Sequence, residues 1–169
     1  GPRRPRWYDG LVDGTGIDDA ESPFLAHGAL RGRENPVAPP LVLTDATRED
    51  GSRAKVGHVT LNLAYEGPPH GVHGGFVAAL FDDILGAAQG LVDDPGVTGR
   101  LTVRYRHITP VEEELRFEAW IESDDGKRIV AKANCHAEGG ELLTADAEAL
   151  FIRVDFEEIQ ARMAARRDA

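Results

Sequence analysis

One cysteine, Cys135, stands in the 169 residues, so no disulfide can form within the chain. A reducing cytoplasm is the compartment this leads one to expect. Positive charge is also scarce: 19 Lys and Arg against 29 Asp and Glu give a net charge of −10. Nucleic-acid binding needs a basic footprint, and this balance argues against it. No apolar run reaches transmembrane length once Asp82 and Asp83 are counted, so no membrane partner is expected. The basic start Gly1-Pro2-Arg3-Arg4-Pro5-Arg6-Trp7 lacks the apolar stretch of a signal peptide. Gly1-Pro2, without an initiator methionine, reads as a trimmed tag. What is present is 41% hydrophobic content, enough for one core and not comfortably for two.

The most informative stretch is Gly71-Val72-His73-Gly74-Gly75 running into Phe76-Val77-Ala78-Ala79-Leu80-Phe81-Asp82-Asp83-Ile84-Leu85-Gly86-Ala87-Ala88. Two glycines open an apolar helix and leave bare N–H groups at its start. At about 100° per residue, Gly75, Ala78, Ala79, Gly86 and Gln89 fall nearest to Asp82. Phe76, Val77, Leu80, Ile84, Ala88 and Leu91 gather on the opposite side, suited to packing on a sheet. A carboxylate centred on a small-residue face is costly to bury without partners or a task, so Asp82 is the leading candidate for chemistry. Asp83 lies nearer the border of the faces and is the weaker candidate; an exposed acid on an amphipathic helix is the plainer reading of both. Asp82 follows His73 by nine residues, about 13 Å along a helix axis. One helix cannot bring its own N-terminal donors and its own Asp82 to one reacting carbonyl. Two helices packed antiparallel can, which implies a dimer with composite sites.

The remaining pattern is β. Leu41-Val42-Leu43 and His58 to Tyr65 read as strands joined across Glu49-Asp50-Gly51-Ser52. In the second, Val59, Leu61, Leu63 and Tyr65 alternate with polar or small residues. Thr98 to Ile108 alternates Leu101, Val103 and Tyr105 against Thr102, Arg104 and Arg106. Glu114 to Glu122, then Ile129 to Cys135, then Leu143 to Phe151 complete the strands, with turns at Asp124-Asp125-Gly126 and Gly139-Gly140. Strand, strand, long apolar helix, then four antiparallel strands make an α+β domain: a curved antiparallel sheet wrapped around one central helix. Residues 1–38 read as an irregular extension, with a short helical turn near Phe24-Leu25; 39–155 form the domain, and 156–169 a polar C-terminal helix or tail.

Gly67-Pro68-Pro69-His70-Gly71-Val72-His73-Gly74-Gly75, then Asp82, then Val97-Thr98-Gly99-Arg100-Leu101-Thr102-Val103-Arg104-Tyr105 resemble the hotdog-fold acyl-CoA thioesterases. The branch is that of the phenylacetate-pathway thioesterases and the thioesterase-superfamily members, and the likeness spans roughly residues 40–154. The resemblance implies a hotdog fold and hydrolysis of an acyl-CoA to free acid and coenzyme A, with no cofactor and no metal. It makes Asp82 the general base or nucleophile and the Gly74 N–H, from the other subunit, the donor to the thioester carbonyl. By the same likeness Thr98 positions the attacking water, His73 shapes the loop at the helix start, and Gly75 is expected to bind substrate. Donors aimed at developing negative charge and a carboxylate within reach of water suit this reaction. Gly67 stands where some relatives place an Asn that helps to orient water. The assembly implied is at least a dimer, and dimers of this fold also pair into tetramers.

Arg104, Lys127 and Arg128 suggest a basic rim for the phosphates of coenzyme A, a task arginine suits; a solvated strand face is the plainer account. His70 and His73, three apart, hint at metal, but a loop histidine bonded to backbone is far commoner. Cys135 shares an alternating face with Ala133 and Ala137 and reads as buried and structural. The alternative to an enzyme is a non-catalytic acyl-CoA-binding or regulatory hotdog protein. A hydratase on the same fold would need a His and an acid at other positions.

Overall fold

The computed structural model describes residues 28–32 and 34–167. The expected turn near Phe24-Leu25 lies outside them. The elements in chain order are β1 (Val42–Thr47), β2 (Arg53–Thr60), α1 (Gly74–Ala88), β3 (Val97–Tyr105), β4 (Glu114–Asp124), β5 (Arg128–Ala137), β6 (Leu142–Ile152) and α2 (Phe156–Arg167). The strands form one antiparallel sheet in the order β1-β2-β4-β5-β6-β3, which leaves β1 and β3 as edges. This is the hotdog architecture: one long helix held in a curved sheet.

The curvature has local causes. The pairing registers shift at Thr98/Arg100, Ile121/Ser123 and Cys135/His136, and such bulges bend a strand and increase its twist. Ala131, Ala133, Ala145, Ala147 and Ala149 line the inner face of β5 and β6 and are almost fully buried. Their short side chains let α1 sit close. From α1, Val77, Leu80, Phe81, Ile84 and Leu85 enter the core, with Phe81 edge-on to Phe117 at 5.1 Å between ring centroids.

Two departures from the alternation pattern have clear reasons. Leu61 to Tyr65 does not continue β2: the Asn62 side chain accepts the Ala64 N–H and starts a 3-10 turn over Leu63–Tyr65. That rotates Leu63 out to 56% exposure while Leu61 and Tyr65 stay buried. The Tyr65 hydroxyl then donates to Val37 O at 2.9 Å, tying the segment before β1 to the core. Tyr105, expected to point inward, is 55% exposed and donates instead to Gly74 O at 2.7 Å. Among the described residues no helix is long and apolar enough to cross a membrane.

Candidate active site

The start of α1 is built by the loop before it. Gly67 N–H donates to Gly71 O and Gly71 N–H to Pro68 O, closing a tight turn in which His70 takes a positive φ of 64°. A Cβ on Gly67 would lie 2.7 Å from His73 Cα, so this position admits no side chain as the loop stands. His73 is anchored by its N–H to Tyr65 O at 2.8 Å and caps the helix, its Nδ1 accepting the Gly75 N–H at 2.9 Å. The acceptor role places the neutral ring's proton on Nε2. Gly75 is therefore exposed but not a free donor. The Gly74 N–H has no acceptor among the described residues, as a first-turn donor has none within its own helix. Tyr105 holds the carbonyl of that same residue.

Two turns further on, adjacent acids part company. Asp82 is exposed, contrary to the expectation of a buried acid, and its Oδ1 accepts the Thr98 hydroxyl at 3.1 Å. Asp83 is the half-buried one, with 20% of its side chain exposed, and Arg31 Nε donates to its Oδ2 at 2.6 Å. Desolvation pushes the Asp83 carboxyl above the ordinary carboxylate value; the Arg31 charge and hydrogen bond pull it back. Sequence reasoning missed Arg31 because it lies 52 residues away, in a segment without periodicity.

Asp82, Asp83 and Thr98 line a cavity of about 300 Å³, with Arg31, Gly86 and Phe151 among its other walls. Gln89 was placed on the small-residue face, yet it is buried. Its Oε1 accepts the Gly96 N–H at 2.7 Å and fixes the loop leading into Thr98. Asp82 and Gly74 sit eight residues apart on one helix, about 12 Å along its axis, so one protomer does not unite them.

The predicted basic rim is also divided. Arg104 lies near the Tyr105 end of β3, opposite Asp146 in register. Arg128 opens β5 opposite Ile152, which pairs with Val97 at the other end of β3. Lys127 and Arg128 are exposed and donate their backbone N–H groups to Asp125 Oδ1, which helps to hold that carboxyl below its usual value. Cys135 is fully buried, and burial pushes its thiol up to about 12, so it is inert. Among the described residues no group of three or more His, Cys, Asp or Glu side chains is arranged to hold a metal ion.

Residues 70–144, spanning the capped helix, Asp82 and β3, match the model of the Thioesterase superfamily. The chain has the hotdog fold and over that stretch is similar to the superfamily. Among sequence relatives it resembles the acyl-coenzyme A thioesterase THEM4 of Xenopus laevis, 28% identical over 89 residues, which is 53% of this chain and 40% of that protein. Among solved structures it resembles the thioesterase superfamily protein RHA08564, 36% identical with a TM-score of 0.66, covering 75% of this chain and 63% of that one. The fold is also that of smu.793 from Streptococcus mutans UA159, solved bound to acetyl CoA, at 15% identity and a TM-score of 0.57, over 66% and 88% of the two chains. The chain thus spans less than half the length of the Xenopus thioesterase.

Proposed function

We propose that this protein is a cytoplasmic acyl-CoA thioesterase that works as a homodimer or a pair of dimers. Asp82 takes a proton from water, and the water oxygen attacks the thioester carbonyl carbon. The C–S bond then breaks, coenzyme A leaves as thiolate and takes up the proton, and the free acid remains. Direct attack by the Asp82 carboxylate, followed by hydrolysis of the anhydride, gives the same products. Thr98 occupies one oxygen of Asp82 and leaves the other to orient water. The Gly74 N–H of the partner subunit receives the charge that develops on the carbonyl oxygen. The named thioesterase relatives and the acetyl-CoA complex of a protein of the same fold support this reading.

The observation that carries it is the Thr98–Asp82 hydrogen bond in the lining of a cavity, beside a sheet edge of nine residues. Strand β3 runs from Thr98, beside Asp82, to Tyr105, beside Gly74. Among the described residues its outer edge has no strand partner. Pairing two β3 strands antiparallel about a two-fold axis would set the Asp82 end of one protomer against the Gly74 end of its twin, closing the 12 Å gap. The same pairing would carry Arg104 of one protomer toward Lys127 and Arg128 of the other, a composite rim for the phosphates of coenzyme A.

The test is thiol release from a panel of acyl-CoAs by the wild type and Asp82→Asn. Loss of a carboxylate base removes about 10²–10⁴-fold of rate, with circular dichroism and Tm preserved because Asp82 is exposed. An Asn variant as active as the wild type removes Asp82 from the mechanism. Saturable acyl-CoA binding with no thiol released would select the non-catalytic alternative.

A further inference from the structure

The cavity beside Asp82 has unequal walls. On the sheet side stands Phe151, 1% exposed, and across from it the Gly96 backbone is clamped by buried Gln89. On the helix side Gly86, one turn past Asp82 on the same face, contributes only backbone. A Cβ placed on Gly86 meets nothing within 4 Å, and its φ is not positive. Among the described residues neither conformation nor packing requires glycine there. Glycine inside a helix is nevertheless less stable than alanine. A residue that weakens its own helix while leaving room beside the reactive acid is best explained by that room. Arg31, pinned by Asp83 and lying outside the family-matched residues 70–144, also lines the cavity. It belongs to the chain's own N-terminal segment. At about 300 Å³ the cavity lies at the small end of ligand pockets.

We propose that this cavity is the acyl pocket, that it takes a single-ring or short-to-medium aliphatic acyl group, and that Gly86 sets that size. The inference rests on the thioesterase reading and specifies its substrate. An acyl chain entering past Asp82 runs along the missing side chain of Gly86 toward Phe151, and Arg31 closes the pocket to a long fatty-acyl chain.

The experiment compares kcat/KM on acetyl-, hexanoyl-, phenylacetyl- and palmitoyl-CoA for the wild type, Gly86→Ala and Gly86→Val. The wild type favours hexanoyl- or phenylacetyl-CoA over palmitoyl-CoA; a palmitoyl preference overturns the proposal. Gly86→Val lowers the hexanoyl-to-acetyl selectivity ratio about tenfold, the scale on which pockets discriminate methylenes. Gly86→Ala lowers it less, with Tm at or above the wild-type value, so misfolding cannot account for the loss. An unchanged ratio, or an equal loss on every substrate accompanied by a smaller assembly in sedimentation, assigns the space to subunit packing and overturns the proposal. If the wild type releases no thiol from any acyl-CoA, the hydrolysis reading fails, and calorimetry with hexanoyl-CoA decides the pocket. Binding weakened about tenfold by Gly86→Val supports it. Absent binding, or binding unaffected by valine, overturns it.

Discussion

The two ends of the functional stretch of α1 are organised in opposite ways. At its start the chain closes on itself: His73 takes the Gly75 N–H, Tyr65 O takes the His73 N–H, and Tyr105 holds the Gly74 carbonyl. Among the described residues, only the Gly74 N–H at this helix start is left unmet. At the carboxylate turn, two neighbouring acids divide the work by a rotation of about 100°. Asp83 turns toward Arg31 and is desolvated, whereas Asp82 turns outward and meets a single hydroxyl. The start is rigid with one free donor; the acid turn is anchored by one carboxylate so that its neighbour stays available. Under the proposed function, the reacting group at each end is the one that the surrounding contacts hold least.

The contrast can be broken most severely at Arg31. Arg31→Ala leaves a half-buried carboxylate without its partner and should cost about 2 kcal/mol at neutral pH. The sign follows from the titration of Asp83, whose folded value already lies above 3.8. A raised carboxylate favours folding while protonated, and that contribution is lost as pH climbs from 3.8 through the folded value. Removing the Arg31 charge raises the folded value further. The deficit of Arg31→Ala should therefore shrink as pH is lowered toward 4, and Asp83→Asn should flatten the dependence. Thermal unfolding across pH checks both; a deficit independent of pH would detach Arg31 from Asp83. A smaller effect is expected at Thr98. Thr98→Val removes the hydroxyl on Asp82 at nearly constant volume and should lower kcat about tenfold with Tm unchanged, since both side chains are exposed. The smallest effect falls at the helix start. Tyr105→Phe deletes one hydrogen bond to Gly74 O, worth about 1 kcal/mol. It should reduce kcat severalfold with little change in KM, and an unaltered kcat would show that the loop holds the Gly74 peptide without help.

Much of this was legible along the chain, and the failures have a common origin. Between the bulges the inner faces of β4, β5 and β6 alternate, so Phe117, Ala131, Ala133, Ala145 and Phe151 declare their burial by period alone; Thr144, buried beside Ala145 where Leu143 was expected inside, breaks the pattern next to the Cys135/His136 shift. The glycine-opened helix and its bulky face were equally plain. Leu63 was misplaced because Asn62 competes with the strand by capping a 3-10 turn, a choice local periodicity does not reveal. Tyr105 was misplaced because an amphipathic side chain at a strand end can satisfy its hydroxyl on a neighbouring helix. Asp82 and Asp83 could be separated by helical angle, but which one is desolvated depends on Arg31, and nothing near the helix signals its arrival. Gln89 could be placed on the Asp82 side of the helix, but its burial could not be read, because its partner is the Gly96 backbone, across a loop with no periodicity.

Gly67 has a consequence for how this site can change over time. Its hydrogen atoms lie against the His73 backbone, with no space for even a methyl group. A water-orienting amide of the kind some relatives carry cannot be acquired at this position by a single codon change, because the whole Pro68–Val72 turn would have to be rebuilt with it. If the proposed hydrolysis holds, any refinement of how water is oriented must come from Thr98 and its neighbours rather than from the loop.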